Sequence, residues 1–509
     1  MSSFKGLSIG ISGLYASRRS LDTIAHNIAN TDNPIYVRQQ AIHSDSRYSR
    51  ISLKHYIGTG VDVQQIRQVR DSFLDTKIRS EASEFGFWFS RTNVFDQVEG
   101  LVRELSEDAI QGVMDKFWGS WEEVAKDPSS LTARGLLRER AIEFAGSVNH
   151  MYTQLETLQF NLDKNIRNMV DEVNELVKGI ADLNLKIMSS EAMGSTANDF
   201  RDTRNGYLDR LSQIIKIDYY TSNNGAVNIA IGGTHIVSDG TYRELEAKNN
   251  GSPYVDVHWK DNGEQLLPER DLKNGELLGL LNARGYYGQE NDISDVTEYK
   301  YIIPTLKKQL NEYVKGLAEA INDLHREGYS LTGNTGIDFF VKRDSSNGNW
   351  AGNISLSSAL DSLSEIAAAS NTGEIGNGKI AELIAGIRYG AIFEDGKAVG
   401  IEKDVLGKIV FDSNGKPVFK GKTTSDNFYR DMITDLGISA NESLTMRDAH
   451  EMVMAQIDDR RKAMSGVSLD EEMTEMIKFQ HAYNASARVI NAIDEMVDQI
   501  VNRMGIVGR

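Results

Sequence analysis

Apolar positions recur every seven residues at both extremities of the chain. Toward the carboxyl end Leu469, Met476, Tyr483, Ile490, Val497 and Met504 make one row, and Phe479, Ile493 and Ile500 make a second beside it. That spacing predicts a helix from about 468 to 504, with a stripe wide enough to pack against several partners. Ser468 and Glu471 stand at its start in the S-x-x-E pattern of a capping box. Such a helix would be roughly 55 Å long, more than an ordinary globular core covers. Residues 3–30 carry the same signature: Leu7, Leu14, Leu21 and Ile28 form the row, with Phe4, Ile11 and Ile24 alongside. Gly6, Gly10 and Gly13 lie inside this second helix and together cost it ~3 kcal/mol relative to alanine. It orders, on this reading, only when packed.

Between the extremities the period changes several times. From Ser44 to Val69 the pattern is short and alternating, with Gly58 and Gly60 between, as in extended or strand-like linkage. Helical spacing resumes from Asp71 to about Glu107. Phe85, Phe87, Trp88, Phe89, Phe95, Phe117, Trp118 and Trp121 thicken this region and are expected in a core. After Pro128 the longest regular stretch begins: Leu155, Leu162, Met169, Leu176 and Leu183 alternate with Ile166, Val173, Ile180 and Ile187. Five heptads of this kind predict a coiled-coil-like seam, read as the spine of an intramolecular bundle. After Ile217 the period becomes two, with Asn-Gly turns at 224–225 and 262–263, which predicts a small β domain over 216–275. Residues 293–327 read as another long helix, with Leu306, Leu310, Val314, Leu317, Ile321 and Leu324 on one face. A Gly-, Asn- and Ser-rich stretch at 341–425 follows, then helical pattern from 426 to 464, broken by Gly466.

The fold class expected is mainly α with β-rich inserted domains, discontinuous and nested. Residues 1–66 and 466–509 form a terminal coiled-coil domain. Residues 67–215, 276–340 and 426–465 form a helical rod-like bundle, 216–275 the small β domain, and 341–425 an outward-facing domain or insertion.

Composition narrows the function by exclusion. A formal charge of −17 over 509 residues argues against nucleic acid or an anionic membrane as partner, and no segment is long and apolar enough for a membrane span. The absence of cysteine removes disulfides, thiolate metal sites and cysteine nucleophiles together. Gly373 to Lys379 satisfies G-x-x-x-x-G-K, but Ile380 occupies the magnesium-binding hydroxyl position and no strand pattern precedes it. His450-Glu451 begins an H-E-x-x-H pattern that Met454 and Ala455 do not complete. No enzyme chemistry, cofactor or metal site is expected.

The first helix ends at Asn27-Ile28-Ala29-Asn30-Thr31-Asp32-Asn33-Pro34-Ile35-Tyr36-Val37-Arg38-Gln39, where Pro34 stops it and Asn and Asp side chains can bond the freed backbone. Through Asn30, Pro34, Tyr36, Arg38 and Gln39 this segment resembles the axial proteins of the bacterial flagellum (rod, hook and hook-associated proteins), with Ile35 where that family usually has glycine. Residues 479–490, with Phe479, Gln480, Tyr483, Ala485 and Arg488, are more similar to the hook-associated branch than to hook or rod proteins. Residues 201–212 resemble a third family segment, with Arg204 kept and Asn205 replacing its aspartate. The resemblance covers roughly residues 1–340 and 426–509. It implies a structural, self-assembling component joining hook to filament, packed axially through Leu7, Leu14, Leu21, Ile28, Leu469, Met476, Tyr483, Ile490 and Val497. The partners implied are its own copies in a helical array, hook protein, hook-associated protein 3 and a flagellar export chaperone. It also implies secretion through the flagellar export channel without a cleaved signal. The polar residues between Gly6 and Gly13 agree, being unlike a signal-peptide core. A hook or rod protein, a secreted enzyme displayed through residues 341–425, and a cytosolic coiled-coil adaptor are the alternatives.

Overall fold

A computed structural model describes residues 2–499, apart from 47, 53–54, 105–109, 195, 250, 287–298 and 346–347. The first helix, α1, spans Ser2–Ala29 and the last, α10, spans Leu469–Asp498. Ile500, Met504 and the side chain of Phe4 lie outside what is described. After α1 come β1 (Gln39–Asp45), β2 (Tyr48–Ser52), β3 (His55–Gly58) and β4 (Val61–Gln68). They form two antiparallel pairs, β1 on β4 and β2 on β3, so the alternation around residue 50 is strand, as its spacing predicts.

The body is mainly helical. Its members are α2 (Ser72–Glu104), α3 (Ile110–Lys126), α4 (Leu131–Ala192), α5 (Asn198–Ile214), α6 (Glu276–Arg284), α7 (Ile302–Glu327), α8 (Lys379–Gly386) and α9 (Ser425–Ser465). The spine is α4, whose 62 residues make it roughly 93 Å long. Ser130 caps it, its hydroxyl accepting from the Ala133 amide at 3.3 Å. Leu155, Leu162, Ile166, Val173, Ile180 and Ile187 are fully buried, as their spacing requires. Met169 and Leu176 are only partly buried because Val170 and Val177 take the inner place; a 3.6-residue helix drifts against a seven-residue repeat.

Two apolar cores lie along α4. One joins the middle of α4 to α5, α6, the start of α7 and the small β domain. That domain is an antiparallel meander of β5 (Asp218–Thr221), β6 (Val227–Ile231), β7 (Thr234–Ser238) and β8 (Thr241–Tyr242), followed by the pair β9 (Leu245–Lys248) and β10 (Asp256–Trp259). The buried pair Arg284–Asp163 and the 2.8 Å bond from the Val255 amide to Asp163 fasten it to α4 and α6. The second core joins α3 and the first half of α4 to the rest of α7 and to residues 339–401. Here β11 (Phe340–Lys342), β12 (Ile354–Leu356), β13 (Ala391–Glu394), β14 (Lys397–Ala398) and β15 (Thr423–Thr424) are short, and Ile354, Leu360, Ile366, Ile384, Ile392 and Phe393 are fully buried.

Several expectations change. The stretch 341–425 is not a separate insertion, because its first sixty residues complete a core with α3, α4 and α7. The helix expected over 293–327 starts at Ile302, which puts Pro304, with no amide to donate, in the first turn where none is needed. In the aromatic cluster Phe95, Phe117, Trp118 and Trp121 are buried, but Phe85, Phe87 and Trp88 are half-buried and Phe89 is exposed. Among the described residues, neither core contains one from α1 or α10.

Candidate functional site

The two terminal helices pack on each other, antiparallel: Gly6 faces Ile493, Gly10 faces Ile490 and Gly13 faces Ser486. A Cβ on Gly10 would stand 2.9 Å from Ile490 Cγ1, so these glycines weaken an isolated α1 and allow its close approach to α10. Of the residues expected to pack axially, Leu7, Leu14, Leu21, Ile28, Met476, Tyr483, Ile490 and Val497 are half-buried, while Leu469 is 49% exposed. Phe479 is half-buried and its ring stacks on His43 of β1 at 5.8 Å; Gln480, Ala485 and Arg488 face solvent.

Of the apolar residues left bare, the heptad rows include Leu469 and Ile11 but not the others. On α10, Leu469, Met473 and Ile477 lie four residues apart on one flank of the seam, and Val489 and Met496, one heptad apart, lie on the other; all are exposed. On α1, Ile9, Ile11 and Tyr15 are also exposed.

The segment 30–39 turns this helix pair onto the body. Pro34 and Ile35 are the central residues of a turn closed by the Tyr36 amide donating to Asn33 O at 3.1 Å. Ile35 is not among the residues with positive φ, so the turn accepts a β-branched residue where the related family carries glycine. Asn30 donates to His26 O at 2.9 Å. Asn27 is the hub: its carboxamide oxygen accepts from the Tyr36 hydroxyl at 2.8 Å and the Gln39 amide at 3.0 Å, and its nitrogen donates to Gln39 O and to Glu472, both at 2.9 Å.

Arg38 reaches Glu471 at 2.8 Å and the buried Glu472 at 2.7 Å, and its amide donates to Ser465 O at 2.9 Å. The expected capping box therefore does not form: Ser468 makes no side-chain cap, since Glu471 is drawn to the guanidinium of Arg38 instead. On the body side, Asp202 of α5 accepts from the Val37 amide at 3.3 Å and from Gln68 at 2.6 Å, and Gln39 donates to Asp199 at 3.1 Å. Burial pushes the Asp202 carboxyl up to about 7, against the pull of those donors and of Arg70. Burial, reinforced by Asp199, Asp202 and Glu472, keeps the Tyr36 hydroxyl protonated. Arg70 pairs with Asp75, and Arg461 of α9 pairs with Asp209 at 2.9 Å. A polar cleft of about 470 Å³ lies within this joint, walled by 30–38, α5 and 461–471.

Arg204 is buried elsewhere, donating to Asn184 and to Gly225 O at 2.8 Å each; it pins the first β turn to α4. Asn205 accepts from Arg79 at 3.3 Å. The sequence pointed to Tyr36, Arg38 and Gln39 but not to Asn27, Asp202 or Glu472, whose signal is polarity on a helix face that turns out to be covered. Residues 373–379 make a turn before α8, with Ile380 buried in the core beneath. Among the described residues no group of three His, Asp or Glu could hold a metal ion, and no helix is long and apolar enough to cross a membrane.

Residues 95–340 match the family model for the helical domain of flagellar hook-associated protein FlgK, and residues 463–504 match the carboxyl-terminal model of flagellar basal body rod FlgEFG proteins. The chain is similar to flagellar hook-associated protein 1 of Bacillus subtilis, 29% identical with all of both chains covered. It is 24% identical to that of Escherichia coli and 23% to that of Salmonella typhimurium, covering 97% of this chain and 98% of either relative. The solved structure of the flagellar hook junction protein FlgK from Burkholderia pseudomallei shares the fold, with a TM-score of 0.61 at 12% identity over 77% of this chain and 100% of that one.

Proposed function

From the premise that this chain belongs to the flagellar hook-associated protein 1 family, we propose that it is a non-enzymatic building block of the junction between hook and filament. Copies associate side by side through their terminal helix pairs. The observation that carries this is the pair itself: it stands outside both cores, held in the chain by a polar joint, with bare apolar residues on both flanks of α10. A surface that offers one flank to each neighbour is heterologous, which builds rings or helical arrays and not closed dimers. Burying the flanks supplies the apolar contact that the monomer leaves undone.

The residues we assign to contacts between copies are Leu469, Met473 and Ile477 on one flank and Val489 and Met496 on the other, with Gln480, Ala485 and Arg488 beside them. The half-buried rows Leu7, Leu14, Leu21 and Ile28 and Met476, Tyr483, Ile490 and Val497 hold the pair together and contribute their remaining exposed surface. Hook protein on one side, hook-associated protein 3 on the other and an export chaperone on the terminal helix before secretion complete the reading. In this reading the terminal pair lies innermost, with the helical body and the β-rich periphery outside it.

The test is the full chain carrying Ile477→Asp and Val489→Asp, added to isolated hooks. Both positions are exposed, so circular dichroism should show unchanged helicity while electron microscopy shows bare hook ends. Normal junctions built from the double variant would refute the interface.

A further inference from the structure

The outer side of α1 carries a stripe that the monomer leaves unused. Ile11, Tyr15, Arg18, Asp22, Ala25 and Ala29 follow one another at alternating steps of four and three residues, and all are exposed, Tyr15 by 63%. That spacing lines them up along one side of the helix, turned away from Gly6, Gly10 and Gly13, which α10 covers. Such a seam is built to receive another helix.

The bare flank of α10 has the matching steps. Asp470, Met473, Ile477 and Gln480 lie three, four and three residues apart and are exposed, with Leu469 beside them. Since α1 and α10 run antiparallel within the molecule, copies standing side by side present α1 of one to α10 of the next in the same sense. Setting Ile11 on Ile477 then sets Tyr15 on Met473 and Arg18 on Asp470. Sliding by one heptad in either direction loses this match: Ile11 and Tyr15 meet Asn484 and Gln480, or Ile11 meets Asp470 while Tyr15 runs past the start of α10 to Gly466.

Charge agrees once the ion pairs are set aside. On α10, Glu471 and Glu472 are held by Arg38, and Glu475 by Lys478. That leaves Asp470, Asp494 and Glu495 against Arg488, none with an ion-pair partner among the described residues. On the exposed side of α1, Arg18 and Arg19 likewise stand unpaired against Asp22. The first helix thus offers positive charge and the last negative. We propose that the outer stripe of α1 packs on the Leu469–Ile477 flank of α10 in the neighbouring copy, Tyr15 against Met473 and Arg18 against Asp470. This rests on the reading that copies assemble side by side, and assigns the surface that meets that flank. The apolar residues supply contact, and the ion pair fixes the register.

The chain has no cysteine, so Tyr15→Cys with Met473→Cys reports this contact alone. Within one chain Gly13 faces Ser486, which puts Tyr15 level with Asn484, roughly 16 Å along the axis from Met473 and beyond disulfide reach. Oxidised after assembly on isolated hooks, this double variant should run on a non-reducing gel as a ladder of linked copies. Tyr15→Cys with Gln480→Cys, one heptad out of register, should give no ladder. Independently of any thiol, Arg18→Asp and Asp470→Arg should each lose capped hook ends under the electron microscope, and the two together should restore them, while all three chains keep the circular dichroism of wild type. Junctions that form without the ladder, that give the same ladder from the shifted pair, or that assemble equally with either single charge variant overturn the docking. Wild-type chain that leaves hook ends bare refutes instead the side-by-side reading on which it rests.

Discussion

Asp202 joins the amino-terminal segment to α5 as a carboxyl that burial holds at a pKa near 7, above its ordinary 3.8. A folded-state pKa raised in this way means that the folded chain keeps a proton which the unfolded chain releases. Stability from this group is present at low pH and is lost as pH rises from about 4 to about 7. Comparing thermal unfolding of wild type and Asp202→Asn at pH 4.5 and 7.5 should show wild type losing ground to the variant across that window. Midpoints that shift in parallel would show that the carboxyl titrates normally. Glu472, only 1% exposed, accepts from both Arg38 and Asn27. Glu472→Ala leaves two donors without their acceptor and should cost about 2–3 kcal/mol, read as a lowered unfolding midpoint and faster amide exchange in α1 and the first turns of α10. Half of this joint was legible. Pro34, Tyr36, Arg38 and Gln39 stand out as a motif, but the carboxylates that Arg38 and the Gln39 side chain reach, Glu471, Glu472 and Asp199, are far away along the chain, and a lone Asp or Glu on a helix looks the same whether solvent or another helix covers it.

Helices were read well where their apolar period was long and missed where a local contact outbid it. The heptads of α4 mark most of its buried face, but they cover only 155–187 of a helix that runs from Leu131 to Ala192. The capping box of α10 failed because Arg38 offers Glu471 a full charge where Ser468 offers only a backbone amide. Glycines inside α2 show how far a sequence alone can mislead. Gly86 and Gly100 look equivalent, yet a Cβ on Gly86 would meet the Gln213 carbonyl at 2.3 Å, while one on Gly100 meets nothing within 4 Å. Gly86→Ala should therefore destabilise the chain by ~1–3 kcal/mol, through displacement of α5 from α2. Gly100→Ala should stabilise it by up to ~1 kcal/mol. Calorimetry of the two single variants decides, and equal shifts would contradict the packing described.

At the scale of the molecule, pairing of the two extremities follows from their matching periods, and their bare flanks follow from having more apolar surface than one partner can cover. What the periods could not tell was which residues face inward: the regular heptads mostly close the pair within a chain, while Leu469 at the start of its row and Met473, Ile477, Val489 and Met496 off the rows are left outside. A related reason applies to residues 341–425. Their Gly, Asn and Ser content suggested an appendage, whereas scattered single apolar residues such as Ile354, Ile366 and Phe393 reach the core from between the turns. One feature of the chain path bears on how such a molecule would carry force. Among the described residues the chain passes between the terminal elements and the helical body at 69–71 and at 466–468, and Arg38 ties the two crossings together, its amide donating to Ser465 O and its carbonyl accepting from the Val69 amide. In the proposed junction, torque passing between the terminal pair and the body would cross that narrow neck. Twisting strain would then fall on the guanidinium–carboxylate contacts of the joint before it reached the long helices on either side.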